Sequence, residues 1–332
     1  MPFIVDSEAL PQEAARELVR THGAHPLAYS TLQPGMRYFG DQSDGFIAYR
    51  RVLGQTIVLA DPVAAPASRE RLVDAFLDVH PRALFMQVQT GTSDILKRRG
   101  YRMTPVGVEN EIDLEEFSLK GKRKADLRHY RNKAVKGEVV VGEEQDTPDL
   151  RRELRPVSDA WLPLKSWWGH ELEFLARPYQ EDPEPDVRIF SGRIDGKPVG
   201  FVVLDPFYDA GVPAGYTVTI LRHYPDTPEG TVDYINICAF QQLREEGVKK
   251  VSLGVSPFHH IADLAREEGH GAWPVYWTFR MLDRFGSPIY HFRGLSFHKS
   301  RYRARELPVF TGVRGPIGLL PLFASSRACR ML

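Results

Sequence analysis

The sequence predicts a mixed α/β protein built from two similar units in tandem and joined by a basic helix. Three observations carry that expectation. The chain has 332 residues, above the roughly 100–200 residues of one ordinary domain. Short apolar strands alternate with amphipathic helices in both halves, the pattern of layered mixed sheets. Between the halves, over residues 118–136, the composition turns abruptly basic. The expected division is a first unit at 1–117, a basic helix and strand at 118–146, a second unit at 147–312 and an apolar, then basic, tail at 313–332.

In the first unit, Pro11 opens a helix over 11–22 that His22-Gly23 ends. Three short strands follow, MRYFG, GFIAYRRVL and QTIVLAD, punctuated by Gly54 and Asp61-Pro62. Leu72, Val73, Phe76 and Leu77 stripe a helix from Pro66 to Val79, and ALFMQVQ, the helix TSDILKRRG and VENEIDL complete the unit. The basic run SLKGKRKADLRHYRNKAVK has few apolar positions, so it reads as a partly exposed helix, followed by strand EVVVG. Such a run is either a solvated face or a contact for nucleic-acid phosphates. In the second unit, helical matter spans 148–176, then VRIFSGRI and KPVGFVVLD flank an Asp195-Gly196 hairpin turn. A helix near 259–268, the apolar segment WPVYWTFRMLDRF and the stretch YHFRGLSFHKSRYR come later.

Composition narrows the function classes. With 42% hydrophobic and 26% charged residues and a formal net charge of zero, the chain can fill two cores but offers no global field to a charged partner. Two cysteines, Cys238 and Cys329, exclude a disulfide scaffold and a four-cysteine zinc site and fit a cytoplasmic setting. The opening residues lack the charged start and apolar run of a signal peptide. No stretch approaches the roughly 20 apolar residues that cross a bilayer. A soluble, cytoplasmic protein is expected, with peripheral contact to the inner face of the membrane through 313–332 as an alternative to core packing of that tail.

Walker, dinucleotide-glycine and HExxH patterns are absent. GVSPF lacks the second glycine of a nucleophile elbow. His259, His260, Asp263 and Glu267 have spacing that lets them share a helix face, but a capped, solvent-facing helix accounts for them and no metal site is expected. The informative stretch is Tyr216–Phe258. There a strand carries Arg222, a turn rich in proline follows, Thr231 caps a helix that Gly247 ends, and strand VSLG breaks at Gly254 and Pro257. Val232, Ile235, Ala239 and Leu243 give that helix a sheet-packing face. Arg222, a charge in an apolar strand, needs a partner, and Asp233 stands in the helix's first turn.

The segments GFIAYRR, VLADPV, VENEIDLEEFSLKGKRKADLRHYRNK, SDAWLPLK, LRHYPDTPEGTVDY, VSLGVSP and FRGLSFHKSRY, in that order, resemble the C-terminal catalytic region of the phosphatidylglycerol lysyltransferase (multiple peptide resistance factor) family. The resemblance implies two tandem acyltransferase domains of the acetyltransferase (GNAT) type. It also implies transfer of an amino acid from aminoacyl-tRNA to a hydroxyl, phosphatidylglycerol in founding members, without a cofactor. Motif-matching positions are Glu109, Arg128, Asn132, Lys165, Glu171, Arg222, Asp233, Gly254, Pro257 and Lys299. Arg222 and Asp233 are then the expected catalytic pair, Arg222 as an oxyanion or phosphate donor and Asp233 either orienting it or taking a proton. Glu109, Lys165, Glu171, Thr219 and Gly254 are expected at the substrate, and Lys122, Arg123, Lys124, Arg128, Arg131, Lys299 and Arg301 at the tRNA.

Three departures qualify the resemblance. No flippase-like membrane domain is expected before the region, as in a soluble stand-alone member. Thr219 stands where the family has an aspartate three residues before the strand arginine, a carboxylate suited to a transferred lysine. FHKSRY replaces lysines flanked by phenylalanines. HYPDTPEG also lacks the glycine spacing with which acetyltransferases hold the CoA pyrophosphate. The acceptor stays open between a lipid and a small molecule. The rival readings are a CoA-dependent N-acyltransferase and a non-catalytic module that binds RNA or an anionic membrane.

Overall fold

The structure, a computed structural model, describes residues 10–165, 169–285, 292–315 and 319–331. Its first half comprises α1 (Gln12–His22), β1 (Arg37–Asp41), β2 (Gly45–Val52), β3 (Gln55–Leu59), β4 (Val63–Ala64), α2 (Pro66–Val79), β5 (Leu84–Val88), α3 (Thr90–Arg98) and β6 (Arg102–Asp113). Next come α4 (Ala125–Lys136), β7 (Val140–Glu144), α5 (Pro148–Lys165), β8 (Arg188–Ile194), β9 (Lys197–Asp209) and β10 (Val212–His223). The chain continues with α6 (Thr231–Glu245), β11 (Lys250–Pro257), α7 (Ile261–Glu268), α8 (Trp273–Phe285), α9 (Phe292–Ser300), β12 (Arg305–Val313) and α10 (Leu319–Ala328).

All strands join one mixed sheet in the order β1-β2-β3-β5-β12-β6-β11-β10-β9-β8-β7, with β4 paired to β2. The β3–β5 and β10–β11 pairs are parallel. The two halves are therefore not separate sheets. Strand β6 of the first half pairs antiparallel with β11 of the second. The late strand β12 then inserts between β5 and β6. This strand went unread in the sequence because its segment, RELPVFTGV, carries a proline and a glycine in an otherwise strand-like run. In place, its Phe310 is fully buried in the first half's core beside Phe76 and Phe85.

Side-chain alternation sends the two faces of the second half to different helices. Ile189, Phe201, Val203 and Ile220 pack with α1 and α5 on one face. Phe190, Val202, Leu204 and Tyr216 pack with α6 on the other. The basic helix forms as expected but is not a tether. Leu127 and Ala134 are buried, and the helix lies against α6. The 148–176 helix ends at Lys165 in the described residues. The Asp195-Gly196 turn holds, with both residues at positive φ. Strand β11 does not break at Gly254 but bulges and runs on to Pro257. Thr231 is not the cap: Gly230 occupies that position, and the threonine hydroxyl donates to the Pro228 carbonyl at 2.6 Å.

Removing Phe310 takes a strand-borne side chain out of a core made largely by the other half. Phe310→Ala is expected to cost about 3–5 kcal/mol. Urea unfolding monitored separately in each half should show both shifting together.

Candidate active site

The site originates in a separation of two strands. Strands β10 and β11 pair only over Gly215–Thr217 against Lys250–Ser252. Each is irregular at the parting point, β10 between Val218 and Ile220 and β11 between Ser252 and Val255. Such bulges re-aim side chains beside an opening. Gly254, at φ +75°, makes the β11 turn, a conformation costly for any residue with a Cβ. Its N–H donates to Ser252 Oγ at 2.9 Å and its carbonyl accepts from Asn110 Nδ2 at 3.1 Å.

On the α5 face, Arg222 is buried and donates to both carboxylate oxygens of Glu171 at 2.7 Å. It also donates to Ser158 Oγ. A bidentate pair of this kind is what makes a buried guanidinium tolerable. The Trp161 ring lies 5.4 Å from the guanidinium. A cavity of about 100 Å³ opens here, bounded by Trp161, His170, Glu171, Arg177, Thr219 and Arg222. The fold thus brings together the predicted Glu171, Thr219 and Arg222. The Lys165 side chain and Trp167 and Trp168 lie outside the described residues. At the cavity wall, Arg177 donates to the buried Asp205 at 2.7 Å and also to Glu184. Burial pushes the Asp205 carboxyl up to about 6, against the pull of Arg177.

Asp233 faces the other way. Tyr302 Oη donates to its Oδ1 at 2.8 Å. His298 Nε2 lies 3.0 Å from Oδ1, and Arg301 Nη1 lies 3.2 Å from Oδ2. Burial alone would raise this carboxyl, but the charges and hydrogen bonds of His298, Arg301 and Tyr302 hold it below the usual carboxylate range. Arg301 also covers the Tyr130 ring at 4.2 Å, which ties α4, α6 and the end of α9 into one cluster. Gly230, at φ +88°, leaves room for this approach: a Cβ there would sit 2.3 Å from the Tyr130 carbonyl. Asp233 therefore does not orient Arg222. Arg222 of β10 points to the α5 face, whereas α6, which carries Asp233, packs on the opposite face of the sheet, and strand and turn alone could not reveal that.

Glu109 and Lys299 occupy the strand separation. The Lys299 ammonium donates to the Val255 carbonyl at 2.8 Å and lies 3.5 Å from the position a Gly254 Cβ would take. Burial depresses its pKa to about 7, opposed by the Glu109 charge. Burial likewise raises Glu109 to about 7, opposed by the amide of Gln89, which donates at 3.1 Å. Lys299 and Arg301, expected at the tRNA, are thus turned inward. Lys124 donates to the Tyr302 carbonyl and Arg128 to the carbonyls of Leu119 and Gly121. Of the expected basic contacts, Lys122, Arg123 and Arg131 are exposed.

Sequence reading passed over His298, Tyr302, Ser158, Arg177 and Asp205. A signal existed for two of them. Asp205 ends the apolar run GFVVLD, so burial would demand a cation. His298 lies within the noted FHKSRY segment.

Lys299 also gives a sign for stability against pH. Its folded value lies below the unfolded 10.5, so the charged form is penalised on folding. That penalty is absent above pH 10.5, grows as pH falls toward 7, and is complete below it. Lys299→Met is expected to stabilise the protein at pH 6.5 by on the order of 3 kcal/mol. In thermal unfolding, the gain should fade as pH rises toward 10.

The chain is similar to known proteins over nearly its full length. The phosphatidylglycerol lysyltransferase C-terminal family matches residues 16–312. A phosphatidylglycerol lysyltransferase of Bacillus subtilis (strain 168) is 26% identical over 280 residues, covering 80% of this chain and 30% of that protein. One from Staphylococcus aureus (strain MRSA252) is 24% identical over 314 residues, 90% of this chain and 35% of that protein. The structure of L-PGS from Bacillus licheniformis superposes with a TM-score of 0.78 at 22% identity, with 98% of each chain covered. The C-terminal domain of a putative lysylphosphatidylglycerol synthetase from Agrobacterium fabrum gives 0.76 at 23% identity, with 95% of each chain covered. The fold is that of a mixed α/β protein, shared with both of these structures. The chain belongs to the phosphatidylglycerol lysyltransferase C-terminal family. It spans about a third of the length of the curated relatives it matches.

Proposed function

We propose that the protein moves an aminoacyl group from aminoacyl-tRNA to a hydroxyl or amine of a lipid resembling phosphatidylglycerol, or of a small molecule. The observation that carries this reading is the cavity walled by Thr219, Arg222 and Glu171 at the strand separation. Every aminoacyl group carries an α-ammonium, and the Glu171 carboxylate, fixed by Arg222, offers it a preset partner. The ester to tRNA is already activated, so no ATP, metal or CoA is needed. The N-terminus of α6 also argues against CoA. Pro225 and Pro228 precede it and Asp233 fills its first turn, so a pyrophosphate would meet few free amides and a negative charge.

The two protons of the reaction fall to Glu109 and Lys299. Both sit near pKa 7, the range in which acid–base groups work best at neutral pH. Glu109 takes the proton from the attacking acceptor, and Lys299 returns one to the ribose oxygen that leaves. Asp233, held charged by three partners, positions α9 and does not act as the base. Thr219 in place of a carboxylate, with Arg177 in the same cavity wall, favours an aminoacyl group without a second positive charge. Exposed Lys122, Arg123 and Arg131 supply phosphate contacts for the tRNA.

A panel of labelled aminoacyl-tRNAs, incubated with membrane lipid and small-molecule extracts, tests the reading. Transfer from at least one is expected. Arg222→Ala or Glu171→Gln should lower it on the order of 100-fold while tRNA binding persists. Failure to deacylate any tRNA would overturn the proposal.

A lipid acceptor requires contact with a bilayer surface, and the best-placed face is not the tail. Ala324 and Ala328 of α10, and Cys329 just after it, pack into the core with Leu59 and Phe279. Helix α8 instead exposes Trp273, Trp277, Met281 and Phe285 at steps of four residues, each more than half exposed. Tryptophan favours the bilayer interface, and the neighbouring Arg280 and Arg284 suit anionic head groups. Trp273→Ser with Trp277→Ser is expected to abolish sedimentation with anionic vesicles and leave the melting temperature unchanged. Undiminished sedimentation would remove α8 from this role.

A further inference from the structure

Behind α9, on the side away from Asp233, two histidines and a glutamate converge. His259 and His260 close the turn after β11, and Glu306 stands near the start of β12. His259 Nε2 lies 3.4 Å from one Glu306 oxygen and His260 Nε2 lies 3.7 Å from the other. The imidazole rings tilt against each other with centroids 4.0 Å apart. The candidate ligand atoms of all three residues fall within 4.8 Å of one another. Two imidazoles and a carboxylate gathered this closely are a ligand set.

From this geometry we propose that His259, His260 and Glu306 bind a divalent transition-metal ion, with Zn²⁺ the best match. Imidazole nitrogen and carboxylate oxygen at about 2.0–2.2 Å from zinc is a known three-ligand set with an open position. Ligand atoms around a tetrahedral ion stand about 3.4 Å apart, so modest rotations of these partly exposed side chains close the site. A supporting contact is already present. Asp263 Oδ2 lies 3.5 Å from His260 Nδ1, the placement that turns the other ring nitrogen toward a metal. His259 and His260 line a cavity of about 440 Å³ together with Asp263, Arg280 and Ser300, so solvent or a ligand can complete the coordination. The histidine pair is visible in the sequence. Its carboxylate partner, 46 positions on from His260, is supplied by a strand the sequence hides, which is why the expectation of no metal site is revised here.

The test is titration of untagged, chelator-treated protein with Zn²⁺ by calorimetry and with Co²⁺ by visible absorption. One ion per chain is expected, with ligand-field bands that zinc displaces. Melting temperature should rise with Zn²⁺ concentration, as a ligand specific to the folded state requires. Glu306→Gln and His260→Ala should each weaken binding more than 10-fold and remove the thermal shift. Asp263→Asn should weaken it about 10-fold. His22→Ala, on α1, should change nothing. No saturable binding, or binding that survives both Glu306→Gln and His260→Ala in folded protein, would overturn the assignment.

Discussion

The antiparallel pairing of β6 with β12 on one side and β11 on the other holds the rest of the molecule in place. Through that strand, a late segment of the chain completes the first half's sheet, and the second half's sheet is joined to it edge to edge. Backbone hydrogen bonds in this ladder are sheltered in the interior, where leaving them unmade is expensive. The same strand carries Glu109 and Asn110. One reaches the strand separation and the other braces the β11 bulge. Architecture and candidate chemistry therefore depend on the same twelve residues, Arg102–Asp113.

Charge in the site is managed by burial and pairing in three distinct ways. Arg222 and Glu171 form a bidentate pair beside a small cavity. Asp233 is surrounded by a histidine, an arginine and a tyrosine and is held as an anion. Glu109 and Lys299 are buried, and burial outweighs the pull of Glu109 on Lys299 and of Gln89 on Glu109, so each is displaced toward neutral pH. Burial and neighbouring charge thus separate these residues in ways that their identities alone leave open.

Local pattern made much of the fold legible. The stripe Leu72, Val73, Phe76 and Leu77 specified α2 to the residue, and Asp195-Gly196 specified its hairpin through the positive φ both positions require. Patterns that tertiary contact overrides were missed. Strand β12 has proline and glycine within it and is stabilised by two neighbours far away in sequence. The β11 strand survives Gly254 because Asn110 and Ser252 take up the hydrogen bonds of its bulge.

For the site, the candidate side chains were legible in the sequence: Arg222 as a charge in an apolar strand, Asp233 in a helix's first turn, and the Glu109, Glu171 and Lys299 positions through the family resemblance. Only the tertiary structure decided which of them meet. A strand sends alternate residues to opposite faces, and whether α5 or α6 covers a given face depends on contacts between segments dozens of residues apart. That is why Arg222 meets Glu171 and not Asp233. It is also why Lys299, read as a surface contact, is enclosed beside Gly254, and why His259 and His260 find Glu306.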